Sequence, residues 1–161
     1  MEAVSYLTRQ HRELEELLEK AVECQDPAQR REIFSRAADH LAVHLESEEQ
    51  VLYPAVKTSG TEDILLESLE EHLSLKRLMT DLMELDPAAQ TYEPKLKVLK
   101  EQSEHHHGEE EDDLFPKIEK LLSLERRTEL AREMDALQQR MNTGKAPRKA
   151  VIGETDAAAP L

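Results

Sequence analysis

Residues 44–54 read HLESEEQVLYP, and residues 106–116 read HHGEEEDDLFP. Both stretches follow the pattern His-x3-Glu-Glu-x2-Leu-aromatic-Pro, so the chain contains an internal repeat. In each copy a glutamate follows a histidine by four residues, and residues at that spacing lie on one face of an α-helix. The repeat therefore predicts two equivalent helices, each presenting an imidazole and a carboxylate in the same direction.

The sequence around the repeat predicts four amphipathic helices and a fifth. Apolar residues recur at steps of three and four, as on helices that bury one face, and no segment alternates with the period of a strand. Asp26, Thr61 and Ser123 are predicted to begin the second, third and fifth helices. Pro94 is predicted to begin the fourth. Short connections favour an all-α, antiparallel up-down-up-down four-helix bundle.

The predicted domain organisation has three parts. Residues 1–122 form the four-helix bundle, and residues 123–142 add a C-terminal helix over about 124–141. From residue 143 the periodicity is lost and Gly, Pro and Ala accumulate. Residues 143–161 are therefore predicted to form a disordered tail.

The composition excludes several classes of function. The chain has 161 residues with 35 acidic and 21 basic side chains, a net charge of −14. Such a surface repels phosphate backbones and anionic lipids, so we expect no nucleic acid or membrane partner, whereas cations are attracted. Cys24 is the single cysteine, and no apolar run is long enough for a membrane span or a signal peptide. These features predict a cytoplasmic protein.

Polar residues interrupt the apolar stripe of each of the four predicted helices. Every stripe contains one histidine, and two stripes add a glutamate one turn later. Buried imidazoles and carboxylates are costly unless they are paired or bind a metal, so their convergence in one bundle predicts a metal site. Six ligands are too many for one tetrahedral zinc ion. The predicted metal ligands are His11, His44, Glu48, His72, His106 and Glu110.

The run His105-His106-His107 offers three candidates for one ligand position, because each is followed by an acid four residues later. Neighbours on a helix differ by about 100° in direction, so only one is expected to point inward. Aligning Pro116 with Pro54 selects His106 and leaves the other two histidines flanking the site. The two prolines also remove a helical donor and are expected to kink or end their helices.

These residues resemble the hemerythrin-like proteins, also called the HHE cation-binding domain family. The resemblance covers about residues 5–122, with the duplicated motif and the two single histidines in the family's order. It implies an antiparallel four-helix bundle that holds a non-haem di-iron centre with an oxo or hydroxo bridge. It also implies that Glu48 and Glu110 bridge the two irons.

One residue departs from the family's oxygen carriers, which have a second histidine four residues after His72. Here that residue is Lys76, which leaves two histidines for each iron and an open coordination position on both. Two open positions favour catalase-like decomposition of hydrogen peroxide over reversible O2 carriage. The alternatives are binding or sensing of O2 or nitric oxide, an iron-binding module without turnover, and a partner-binding bundle whose histidines are incidental. Catalytic residues beyond the metal centre and the oligomeric state stay open.

Two further residues are candidates for the coordination or its surroundings. His40 lies one turn before His44, and Tyr53 stands where the second copy of the repeat has Phe115. On an ideal α-helix Tyr53 points about 140° away from Glu48. The helical geometry therefore predicts that Tyr53 faces away from the site.

Overall fold

The computed structural model describes residues 1–161 and is entirely helical. The four long helices of the bundle are α1, Ala3–Glu23; α2, Pro27–Ser47; α4, Glu62–Glu84; and α5, Tyr92–Glu109. Helix α2 is extended by the first π-turn, Glu48–Leu52, and the short helix α3, Tyr53–Val56. Helix α5 is extended in the same way by the second π-turn, Glu110–Leu114, and α6, Phe115–Leu121. The C-terminal elements are α7, Leu124–Asn142; α8, Arg148–Val151; and a 3-10 turn, Ile152–Glu154. No helix is both long and apolar enough to cross a membrane.

The helix starts follow the capping residues of the sequence. The Asp26 carboxylate accepts a hydrogen bond from the Gln29 amide at 2.9 Å, and the Ser123 hydroxyl accepts one from the Arg126 amide at 3.2 Å. These bonds satisfy amides that have no partner within the helix. Helix α5 begins at Tyr92, slightly before the predicted start. The predicted four-helix bundle with a fifth helix is confirmed.

Helix α5 lies between α4 and α1, and α1 also packs against α2. Helix α7 covers the outer side of α1 and α2. Two apolar clusters fill the bundle, one built around Leu14, Leu41 and Met79 and the other around Leu7 and Leu65. A layer of buried polar side chains separates the clusters along every helix, at the height of the histidines.

The prediction of a disordered tail is wrong. Val151 is 2% exposed within the first apolar cluster, and the Arg148 guanidinium lies 2.8 Å from the Asp39 carboxylate. The Arg77 side chain donates a hydrogen bond of 2.9 Å to the carbonyl of Thr155. The buried Val151, the partly buried Leu161 and a few polar contacts anchor this segment, and apolar residues so far apart give no helical period in the sequence.

Candidate metal centre

Seven buried histidines and glutamates meet in the polar layer as two adjoining groups. Within each group the ligand atoms lie within 4.8 Å of one another. The first group is His11, His44, His107 and Glu110, and the second is Glu48, His72 and His106. All six residues predicted as ligands therefore lie in these groups, together with His107.

The two carboxylates join the groups. Oε1 of Glu48 lies 3.1 Å from Nε2 of His44, and its Oε2 lies 3.1 Å from Nε2 of His72. Oε1 of Glu110 lies 3.5 Å from Nε2 of His11 and 3.3 Å from Nε2 of His106. Each carboxylate thus faces histidines of both groups, the arrangement that a bridge between two metal ions requires.

Two histidines of the run, His106 and His107, point inward, whereas only one was expected to do so. Because α5 lies between α1 and α4, two neighbouring positions of α5 each face a different helix. His106 directs Nδ1 to Glu71 of α4 at 2.9 Å, while the His107 ring stacks on His11 of α1 with centroids 4.0 Å apart. His105 is exposed, with 68% of its side chain accessible. The cluster therefore contains five histidines, divided three and two, in place of the expected two and two.

Tyr53 is buried at the second group, contrary to the prediction from an ideal helix. Its hydroxyl donates to Oε2 of Glu110 at 2.8 Å and lies 3.2 Å from Nε2 of His72. The first π-turn explains this position, because its hydrogen bond from the Tyr53 amide to the Glu48 carbonyl places residues five apart on one turn. The phenol and the Glu48 carboxylate therefore share a face.

Both π-turns come directly before the aromatic-Pro pair of the repeat. Pro54 and Pro116 lack the amide hydrogen that would close an α-helical turn on the residue four before them. The helix widens by one residue there and continues, so the prolines neither end it nor form its boundary. Widened turns of this kind are frequent at functional sites.

His40 lies outside both groups. Its Nε2 is 3.1 Å from the Glu13 carboxylate, and 22% of its side chain is exposed. Burial and the neighbouring His44 lower the pKa of His40. It is therefore a partly exposed neighbour of the cluster.

The donor set fits metal ions. Several of its ring nitrogens and carboxylate oxygens are buried without a hydrogen-bond partner, which is costly in the absence of a bound cation. Nitrogen and oxygen donors of this kind suit divalent transition metals. The unpartnered atoms are Nδ1 and Nε2 of His11, Nε2 of His44, Oε1 of Glu48, both ring nitrogens of His107, and Oε1 of Glu110.

In the metal-free cluster, the pKa of His11 is lowered, whereas the pKa values of His106 and Glu110 are raised. Burial and the nearby His44 lower the pKa of His11 to about 2, so its imidazole is neutral, the form that binds metals. Burial also lowers the pKa of His106, but the Glu110 and Glu71 groups outweigh it and raise the pKa to about 9. Burial and the adjacent Glu48 raise the pKa of Glu110 well above its ordinary value. A bound cation would replace these protons, because ligands must be deprotonated to bind.

Outer partners orient three of the histidines with Nε2 inward. Nδ1 of His44 contacts Oε1 of Gln10 at 2.8 Å, and Nδ1 of His72 contacts Oε2 of Glu49 at 2.7 Å. Nδ1 of His106 contacts Glu71 in the same way. Such partners fix the tautomer and the ring orientation of metal-binding histidines.

Lys76 belongs to one of these outer networks. Its Nζ lies 2.9 Å from Oε1 of Glu49 and 3.5 Å from Oε2 of Glu154 in the C-terminal segment. The lysine is buried and pairs with the carboxylate that orients His72. Although Lys76 stands where the oxygen carriers have a histidine, the cluster still contains five histidines, and His107 is the fifth.

A four-helix bundle with a buried His/Glu cluster defines a class of metal-binding protein. The family model of the hemerythrin HHE cation binding domain matches residues 2–118. The chain therefore belongs to the hemerythrin HHE cation-binding family, and its buried His/Glu groups are arranged so that they could hold metal ions.

Two similar proteins extend this comparison. A crystal structure of a hemerythrin HHE cation binding domain-containing protein from Mycobacterium kansasii superposes with a TM-score of 0.80 at 21% identity, covering 95% of this chain and 98% of that one. A DNA nickase from Nostoc sp. is 30% identical over 135 residues, which is 81% of this chain. The chain spans 38% of the length of that relative.

Proposed function

We propose that the cluster holds two iron ions and that the protein decomposes hydrogen peroxide. His11, His44 and His107 would hold one ion, and His72 and His106 the other. Glu48 and Glu110 would bridge the two ions, because their oxygens face both groups. The buried unpartnered donor atoms of both groups support this assignment.

The position of Tyr53 is the observation that favours hydrogen peroxide as the substrate. A bound iron pair would supply two-electron redox chemistry, so that one peroxide and two protons become two waters while a second peroxide becomes O2 and two protons. The Tyr53 hydroxyl lies at the two-histidine group, where it can hold or give a proton. Glu110 accepts a hydrogen bond from this hydroxyl and so orients it. General acid–base groups so placed contribute typically 10²–10⁴-fold.

Access to the centre favours a small neutral molecule. A cavity of about 70 Å³ between α4 and α5 reaches Glu110. Water occupies about 30 Å³ in the liquid, so a molecule as small as peroxide fits this space. The cavity also contains the side chains of Glu67, Glu71, Glu109 and Asp113. These carboxylates repel anions and admit an uncharged substrate.

Binding of O2 or nitric oxide is the second candidate function. The division of five histidines into three and two supports it, because one ion would be more fully coordinated than the other. Tyr53 weighs against it, since binding of a diatomic ligand does not require the proton that the phenol offers beside the two-histidine group. The two candidates differ in turnover, which only the peroxide reaction requires.

DNA cleavage, the activity in the name of the Nostoc relative, is a weaker candidate. This chain covers 38% of that protein, and its net charge of −14 repels phosphate.

We further propose a reducing, cytoplasmic setting in which Cys24 remains a free thiol.

An oxygen electrode tests the proposal. We expect the iron-loaded protein to release O2 from hydrogen peroxide, and the Tyr53→Phe variant to release it at least about 10-fold more slowly with unchanged iron content. Tyr92→Phe is the matched control, because Tyr92 is equally buried but lies in the apolar cluster. Release no faster than from free iron salts, together with a reversible oxygenated spectrum, would assign the protein to the carriers.

A further inference from the structure

Helix α7 lies outside the four-helix bundle, yet one of its polar residues reaches toward the metal centre. Gln138 is 6% exposed and faces α1 and α2. Its Nε2 donates to Oγ of Ser47 at 2.9 Å and lies 3.1 Å from Oε1 of Gln10. Its Oε1 accepts from Nε2 of Gln10 at 2.8 Å. Gln10 in turn contacts Nδ1 of His44.

The direction of this chain of hydrogen bonds is set at its outer end. The Ser47 hydroxyl donates its one hydrogen to the carbonyl of Val43 at 2.8 Å. Oγ of Ser47 must therefore accept, so the Gln138 amide nitrogen faces it and the Gln138 oxygen faces Gln10. The Gln10 nitrogen then points to Gln138, and its oxygen points to His44.

The inner end of the chain determines which nitrogen of His44 has the proton. The Gln10 oxygen can only accept, so Nδ1 of His44 carries a proton and donates it, which leaves Nε2 as the nitrogen that can bind a metal ion. Nε2 is the atom 3.1 Å from Oε1 of Glu48, within the cluster. The opposite orientation of the two amides would move the proton to Nε2 and block metal binding there.

We propose that Gln138 of α7 is a positioning residue that fixes the tautomer of His44 through Gln10. The inference rests on the proposed function to the extent that it takes His44 as a metal ligand. It explains why His44 differs from His72 and His106, whose outer partners Glu49 and Glu71 are carboxylates. An ionised carboxylate only accepts, whereas an amide presents a donor or an acceptor and needs a further residue to orient it.

Nitrogen-15 NMR of the histidine rings in metal-free protein tests the tautomer directly. We expect Nδ1 of wild-type His44 to carry a proton and Gln138→Leu to show a second population in which Nδ1 is unprotonated. Gln139→Leu is the matched control, since Gln139 is exposed on the same helix. Equal tautomer populations in wild type and Gln138→Leu would overturn the proposal.

Metal release gives a second measurement. We expect a chelator to remove iron from Gln138→Leu about 10-fold faster than from wild type or Gln139→Leu, in line with other outer-partner substitutions. Equal release rates would contradict the proposal. A wild-type protein that retains no metal would contradict the proposed function, while the metal-free NMR measurement would still decide the role of Gln138.

Discussion

At the scale of single residues, His106 and His107 show how helix packing assigns roles to neighbours in sequence. Helix α5 touches α4 on one side and α1 on the other, so two adjacent side chains are both buried but enter different groups. His105, one position earlier, is turned about 100° away from His106 and is exposed. The three consecutive histidines thus provide two candidate ligands and a natural control.

Substitution of His107 distinguishes a ligand from a bystander. We expect His107→Ala to reduce bound iron at the three-histidine group, because it removes one of that group's nitrogen donors. His105→Ala should keep the wild-type iron content. Elemental analysis of the desalted proteins measures the difference. Equal iron content in the two variants would show that His107 is a buried stacking partner of His11 and not a ligand.

Lys76 is expected to matter for stability. Its side chain and that of Glu49 are 4% and 5% exposed, so Lys76→Met leaves a buried carboxylate without its closest cation. Loss of one partner from a buried pair costs about 3–5 kcal/mol. Denaturant unfolding of the metal-free protein measures this loss, and Lys20→Met, at an exposed pair, should change the free energy of unfolding by less than about 0.5 kcal/mol. A similar small change for Lys76→Met would contradict the buried-pair account.

At the scale of elements, the C-terminal segment, residues 148–161, lies across the bundle as a strap. Val151 packs in the first apolar cluster, and Leu161 packs against the second. Between them Glu154 reaches Lys76 at the height of the polar layer. The segment therefore contacts all three levels of the interior and packs against both α2 and α4.

Val151 is expected to anchor this strap. Val151→Ala removes two buried methyl groups and should lower the free energy of unfolding by about 1–3 kcal/mol. Ile152→Ala, at the neighbouring 45% exposed side chain, should change it by less than about 0.5 kcal/mol. Thermal or urea unfolding compares them. If both variants unfold like wild type, the strap contributes no stability through Val151.

The elements also show what the sequence could and could not predict. Helical periodicity and caps such as Asp26 and Ser123 were sufficient for the bundle and its fifth helix, because these signals are local. Tyr53 was a candidate from the sequence, but its direction was predicted wrongly because a π-turn changes the period and an ideal-helix projection assumes a constant one. The order of the tail was missed because Val151 and Leu161 follow no helical period, and their contacts depend on which helices they meet in space.

At the scale of the whole molecule, the polar layer separates two apolar clusters and is the weakest level of the interior without a cation. Its unpartnered nitrogens and oxygens raise the free energy of the folded metal-free state. Ions bound there would draw together α1, α2, α4 and α5, each of which contributes at least one side chain.

Metal removal is therefore expected to lower the melting temperature. A ligand that binds only the folded state at 100 times its Kd adds about 2.7 kcal/mol, which corresponds to roughly 5–11 °C for a chain of this size. Differential scanning calorimetry of chelator-treated and iron-loaded protein makes the comparison. Identical melting temperatures would indicate that the buried histidines are not ligands.

The number of metal ions per chain tests the central claim most directly. Glu48 and Glu110 face both groups of ligands, and a carboxylate bridge between the groups requires an ion on each side. Protein loaded with Fe²⁺ without oxygen, then desalted and analysed for its elements, should retain two irons per chain. Retention of no iron, or of a single zinc ion under iron-replete conditions, would contradict the account.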